Sequence, residues 1–237
     1  MVPDPRDLVE TAAEWIVRAI GWALETSGAG VQAEGHCTLA LAGGGTPRPV
    51  YRRLSEHPLV GRVPWDRLEI FFSDERGVPP TDPNSNYRMA SDALFQRAPI
   101  PGEQVHRMEA ERADLEGAAR EYAGMLPEAL DVLLLGMGAD GHTASLFPHH
   151  AALRERARRV VAVTEGVPLA PRLTITPPVI DRAKRVMVLV SGLDKAAAVA
   201  RALDGPDQPE VFPIQLARHR MWILDRAAAS ALRNSTV

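Results

Sequence analysis

Residues 131–148, DVLLLGMGADGHTASLFP, join a purely apolar run to a glycine-rich turn that carries an acid and an imidazole. The successive apolar residues Val132, Leu133, Leu134 and Leu135 leave no polar face for water, so the run reads as a strand covered on both sides, as in a parallel sheet. Gly136, Gly138 and Gly141 let the backbone turn tightly and approach a ligand. Asp140 and His142 then stand past the carboxyl end of a buried strand, where open α/β sheets hold their ligands.

Outward from this stretch, strand-like and helix-like segments alternate. Residues 8–25 carry an apolar stripe of Val9, Ala12, Ala13, Ile16, Val17 and Ile20 and read as a helix. Strands are expected at 37–41, 68–72, 132–135, 160–163, 173–176, 186–190 and 221–224, with a short extended piece near Val105. Helices are expected at 46–55, 87–96, 114–126 and 194–203, with a last helix after the final strand. The alternation implies an α/β fold: a mostly parallel, doubly wound, modified Rossmann-like sheet with helices on both faces. Pro and Gly gather between elements, as in 78–83 and 205–213, and give no domain boundary, so the chain reads as a single domain over 1–237.

Composition bounds the function. Apolar residues are 46% and charged residues 24% of the 237, and the formal charge of -3 gives no electrostatic case for nucleic acid or an anionic membrane. No run of 18 apolar residues and no signal peptide are present, and the one cysteine, Cys37, excludes an internal disulfide framework, which together favour the cytoplasm. Cys37, within HCTLALAGGG, reads as a small core hydrophobe.

Three further segments carry chemical potential. In 39–47, LALAGGGTP, a strand runs into three glycines and a Thr-Pro pair that opens a helix. Proline suits the first helical turn and Thr46 can cap it, leaving backbone N–H groups beside a positive dipole end, which suits a phosphate. In 71–87, FFSDERGVPPTDPNSNY, Asp74, Glu75 and Arg76 follow a strand, where a carboxylate can orient a catalytic group and a guanidinium can hold an anionic oxygen. Asn84, Ser85 and Asn86 read as caps of the next helix. In 191–196, SGLDKA, Lys195 sits in a first helical turn that the macrodipole makes unfavourable for a cation, a conflict that an anionic ligand removes. Arg172, before the strand LTIT, is a second candidate cation.

Other chemistries fit less well. GMGADG matches G-x-G-x-x-G, and RVVAVTE places Glu165 near the position of a ribose-binding acid, but a dinucleotide fingerprint needs an uninterrupted helix and Pro148 stops the segment. No Gly-x-Ser-x-Gly elbow strains Ser73, Ser145 or Ser191 into a nucleophile. His149 and His150 with His142 make no recognised metal-ligand spacing, and neither metal nor cofactor is called for.

Taken in order, GGGTP at 43–47, SDER at 73–76 with NSNY at 84–87, GMGADGHTASLFP at 136–148, RLTIT at 172–176 and SGLDKA at 191–196 resemble the signatures of the glucosamine-6-phosphate isomerase/6-phosphogluconolactonase family, on its lactonase side. The resemblance implies hydrolysis of 6-phospho-D-glucono-1,5-lactone, a step of the oxidative pentose phosphate route, with a small sugar-phosphate lactone as partner; a monomer or weak homo-oligomer is expected, the sequence itself not giving the state. It places the phosphate on Gly44, Gly45 and Thr46 with Lys195 and Arg172 as clamps, Arg76 being able to exchange roles with Arg172. His142 becomes the general base, Asp140 its orienting partner, Asp74 a second orienting group, and Arg76 with turn amides the oxyanion stabiliser. In the related deaminases the turn resembles Asp-Gly-His-x-x-x-Asn-Glu-Pro; here Leu146 and Phe147 stand there and the acid is missing. A deaminase or isomerase acting on an amino sugar phosphate, and a non-catalytic sugar-phosphate regulator, remain the alternatives.

Overall fold

A computed structural model describes residues 1–27, 35–169 and 171–233 of the chain. Asp4 accepts hydrogen bonds from the Arg6 and Asp7 amides at 2.7 and 3.0 Å, satisfying N–H groups that open helix α1 (Pro5–Ser27). Leu8, Ala12, Ala13, Ile16, Ile20 and Ala23 are its buried stripe. There follow β1 (Cys37–Leu41), α2 (Pro47–Leu54), β2 (Leu68–Phe72), β3 (Asp74–Arg76) and α3 (Asn86–Ala90), which continues into a π-helical turn over Ser91–Phe95. Then come α4 (Leu115–Met125), β4 (Val132–Leu135), β5 (Val160–Val163), β6 (Arg172–Ile175), α5 (Pro177–Arg182), β7 (Arg185–Val190), α6 (Ala196–Asp204) and β8 (Met221–Leu224). The expected parallel sheet is present as β2-β1-β4-β7-β8. Val132, Leu133, Leu134 and Leu135 are all fully buried, as a strand covered on both faces requires.

In chain order the strands of this sheet run 2-1-3-4-5, so winding reverses between β1 and β4 and a crevice opens beyond their carboxyl ends. At the opposite end Asp131 ties three strands together. It accepts from the Thr38 amide and hydroxyl, both at 2.9 Å, and from Lys184 Nζ at 2.7 Å. The sheet is therefore pinned at one end and open at the other.

A second sheet was not expected. β3, β6 and β5 pair antiparallel, with Asp74 opposite Thr174 and Arg76 opposite Arg172. The chain leaves the parallel sheet at Ser73, whose amide still donates to Leu41 O at 2.8 Å while its carbonyl accepts from Ile175 at 2.9 Å. Segments 160–163 and 173–176, expected in the main sheet, thus belong to this smaller one, the second beginning at Arg172.

Smaller corrections have local causes. Thr46 does not cap α2 with its side chain: its backbone is already helical at φ -68 and ψ -44, whereas a capping side chain needs an extended backbone. Lys195 ends a 3-10 turn, Leu193–Lys195, immediately before α6. No helix follows β8 among the described residues. The chain makes turns there, because the Asp225 carboxylate takes up the Ala228 amide at 2.7 Å and directs its other oxygen bonds to the Ser191–Gly192 turn. The helix after GMGADG that a dinucleotide site needs is absent, and residues 139–150 form turns. No helix among the described residues is long and apolar enough to cross a membrane.

Cys37 is fully buried at the start of β1, and burial pushes its thiol up to about 12. A thiol in that state is unreactive near neutral pH. Iodoacetamide at pH 8 is expected to leave the native protein unlabelled and to label Cys37 fully in concentrated urea; labelling of the folded protein would contradict this packing.

Candidate active site

The crevice at the carboxyl ends of β1 and β4 is a cleft of ≈ 920 Å³. Gly44, Gly45, Thr46, Asp74, Arg76, His142, Arg172 and Lys195 all line it, and Asp140 reaches it through His142. The sequence-predicted residues therefore converge although they lie far apart in the chain.

The bend after β1 is shaped by two steric demands. A side chain at Gly43 would put its first carbon 2.0 Å from Asn86 Oδ1, and Gly44 has φ 101, a conformation that L residues rarely adopt. The Tyr51 hydroxyl fastens the end of the strand by bonding Ala42 N at 2.9 Å and Ala42 O at 2.8 Å. The amides of Gly44, Gly45 and Thr46 donate to no group among the described residues. Pro47 and Pro49 have no amide hydrogen, so the N–H groups of the bend, with that of Arg48, are the backbone donors this corner offers. Lys195 is held opposite through a relay that sequence reading missed. Buried Asp225 accepts from Ser191 Oγ at 2.5 Å and from the Gly192 amide at 3.1 Å, setting the turn that leads into the lysine.

On the other side, the imidazole of His142 is clamped. Its Nδ1 lies 2.6 Å from Asp140 Oδ1, and the same oxygen accepts the His142 amide at 3.1 Å. A carboxylate partner makes Nδ1 the protonated nitrogen and leaves Nε2 as the acceptor. Burial pushes the Asp140 carboxyl up, but the amide, the charge and the ring N–H of His142 together pull it below its ordinary value. Gly138 packs close against the ring: a first side-chain carbon there would come 2.1 Å from His142 Nδ1.

Asp74 orients groups other than the imidazole. Its carboxylate accepts from Asn86 Nδ2 at 3.0 Å and from Ser145 Oγ at 2.6 Å, and it lies 3.6 Å from Arg172 Nη1. Arg172 is only 5% exposed. Its guanidinium donates to Pro168 O at 2.8 and 2.6 Å and to Ser145 Oγ at 3.1 Å, which leaves it part of its donor fork for a ligand. Burial pulls its pKa down, and Asp74 opposes the shift. Arg76 donates Nη1 to Asn84 O at 2.5 Å, while its Nε has no partner among the described residues.

Glu75, between these two residues, faces away from the cleft into a nest of donors. It accepts from the Arg76, Asn86 and Tyr87 amides, each at 2.8 Å, and from Ser85 Oγ at 2.9 Å. Burial pushes its carboxyl up, and those donors resist without cancelling the shift. Ser85 caps α3 as expected, accepting from Arg88 N at 3.1 Å, whereas Asn86 is the link between Asp74 and the glycine bend. Asn86 was expected only as a cap, and Ser145 carried no signal beyond being a polar residue in the turn after His142. Arg6 and Glu10 of α1 also line the cleft and carried no sequence signal. Among the described residues no group of three or more His, Cys, Asp or Glu could hold a metal ion.

The family model described as glucosamine-6-phosphate isomerases/6-phosphogluconolactonase matches residues 3–224. The chain belongs to this family. It is 39% identical to the 6-phosphogluconolactonase of Mycobacterium tuberculosis over 97% of this chain and 96% of that protein. The solved 6-phosphogluconolactonase of Trypanosoma brucei superposes with a TM-score of 0.82 at 28% identity, covering 98% of this chain and 97% of that one. A solved monomeric glucosamine-6-phosphate deaminase superposes equally well, with TM-score 0.82 at 25% identity over 97% of each chain. The backbone is thus similar to solved members of both activities, and the fold alone does not separate them. At the turn after His142, Leu146 is fully buried and Phe147 is 7% exposed, so no carboxylate stands there.

Glu75→Gln replaces an acceptor with an amide that faces two donors. The substitution is expected to lower unfolding stability by about 2–4 kcal/mol, read as a lower urea midpoint. An unchanged midpoint would show that the nest does not hold the 77–85 loop.

Proposed function

We propose that the protein, as a single α/β domain over 1–237, hydrolyses 6-phospho-D-glucono-1,5-lactone to 6-phospho-D-gluconate in the oxidative pentose phosphate route. The observation that carries this reading is the Asp140-bound imidazole of His142, at 2.6 Å, in the same cleft as a bend of unpaired amides and Lys195. The curated lactonase relatives at 36–39% identity support the same substrate.

The lactone is an activated ester, so water and one base suffice. His142 Nε2 takes a proton from the attacking water as oxygen adds to the ring carbonyl carbon. The developing oxyanion is met by Arg76 and by turn amides, which need not reorganise. The tetrahedral adduct then collapses with cleavage of the bond to the ring oxygen, which receives the proton from the imidazolium. Lactone and water become one hydroxy acid, and the histidine returns to its starting form. Asp140 holds the tautomer throughout. The phosphate rests on the Gly44, Gly45 and Thr46 amides, with Lys195 as the main cation and Arg172 adding its remaining donors. Asp74 orients Arg172 and Ser145, and so acts one step away from the imidazole.

Lactone generated in place by a glucose-6-phosphate dehydrogenase should disappear faster with the protein than without it. His142→Ala is expected to lower the catalysed rate about 10²–10⁴-fold, the usual share of a positioned base. Lys195→Ala should raise KM about tenfold or more with a smaller effect on kcat, since it removes a charged hydrogen bond present before and during reaction. Parent-like kinetics in His142→Ala would sink the base assignment, and ammonia release from glucosamine 6-phosphate would favour the deaminase branch instead.

A further inference from the structure

Thr143 N donates to Leu146 O at 3.4 Å and Leu146 N to Thr143 O at 2.9 Å, closing a tight turn with Ala144 at φ 48. A non-glycine residue in this region is strained, so the turn is held by what it achieves. It folds the chain back so that Phe147 lies against His142. The ring centroids are 4.4 Å apart and the planes 27° from parallel. The imidazole therefore has the Gly138 backbone closely packed against it, Asp140 on Nδ1 and a phenyl face stacked on it. The bond to Asp140 holds the ring through Nδ1, and the phenyl face adds a flat contact that restrains the remaining tilt of the imidazole plane.

We infer that Phe147 is a positioning residue for His142, holding the imidazole plane so that Nε2 stays aimed at the attacking water. The ring also lies beneath a guanidinium, since Arg172 Cζ is 5.4 Å from its centroid. Phe147 thus joins the Asp74–Ser145–Arg172 group to the base from behind the residues that line the cleft. This role rests on the histidine-base reading above. A similar trio, His106 stacked on Phe71 at 4.6 Å and bonded to Glu69 at 2.5 Å, occurs outside the cleft and serves as an internal reference.

The test compares Phe147→Leu, which keeps apolar bulk but has no flat face, with Phe147→Tyr, which keeps the face. For Phe147→Leu, kcat in lactone hydrolysis is expected to fall about ten- to a hundredfold with KM within about twofold, since displacing a base costs rate and leaves phosphate binding intact. Phe147→Tyr should recover most of the loss. In proton NMR the His142 ring protons should be shifted upfield in the parent and return toward ordinary positions in Phe147→Leu, while those of His106 stay in place. If the Leu variant does not fold, Phe147→Met, whose flexible chain refills the space, takes its part. A folded Leu or Met variant with parent kcat, or a parent whose His142 protons show no upfield shift, overturns the inference. If His142→Ala is itself fully active, the base reading has failed instead, and the two failures are distinguishable.

Discussion

A carboxylate buried at 5% exposure has to be given donors by its surroundings, and satisfying Asp74 ties the cleft together. Its partners come from three different segments: Asn86 at the start of α3 and Ser145 in the turn after His142 donate hydrogen bonds, and Arg172 on β6 supplies a positive charge 3.6 Å away. Asn86 in turn presses on Gly43, where any side chain would collide with it. The glycine bend, the histidine turn and the small sheet are thereby fixed relative to one carboxyl group. Removing one partner of such a buried group typically costs about 3–5 kcal/mol, so the arrangement changes as a unit.

The two ends of the main sheet show contrasting uses of the same chemistry. At the amino end Asp131 closes on Thr38 and Lys184, and its charge is spent within the protein. At the carboxyl end the donors of the Gly44–Thr46 bend have no partners among the described residues, and Lys195 has only a loose contact with Asp194 at 4.0 Å. Reversed winding is the reason for this asymmetry. Where strand order changes direction, consecutive connections diverge and leave backbone N–H groups facing a crevice.

Much of this was legible before the fold was known. The run at 132–135 announced a doubly covered strand because it is apolar without alternation, too short for a buried helix and closed by glycines. GGGTP and GMGADGH announced turns because glycine permits close approach. The capping role of Thr46 was misread: propensity rewards threonine before proline, but the bend had already placed its backbone in the helical region. The last helix was misread for a similar reason, since Asp225 and not the alanines that follow it decides the local backbone.

What the sequence determined by itself was the alternation of elements, the burial of the central strands and the chemistry each loop carries, because these depend on near neighbours and on periodicity. What tertiary structure decided was which loops meet. The antiparallel sheet of β3, β6 and β5, the relay from Asp225 to the lysine turn and the stacking of Phe147 on His142 all depend on contacts between parts that local propensity does not connect. Hydrogen bonds over 27 or 71 positions, such as those of Ser145 with Arg172 and Asp74, leave no periodic trace in a chain, since their strength comes from burial that only the completed core supplies.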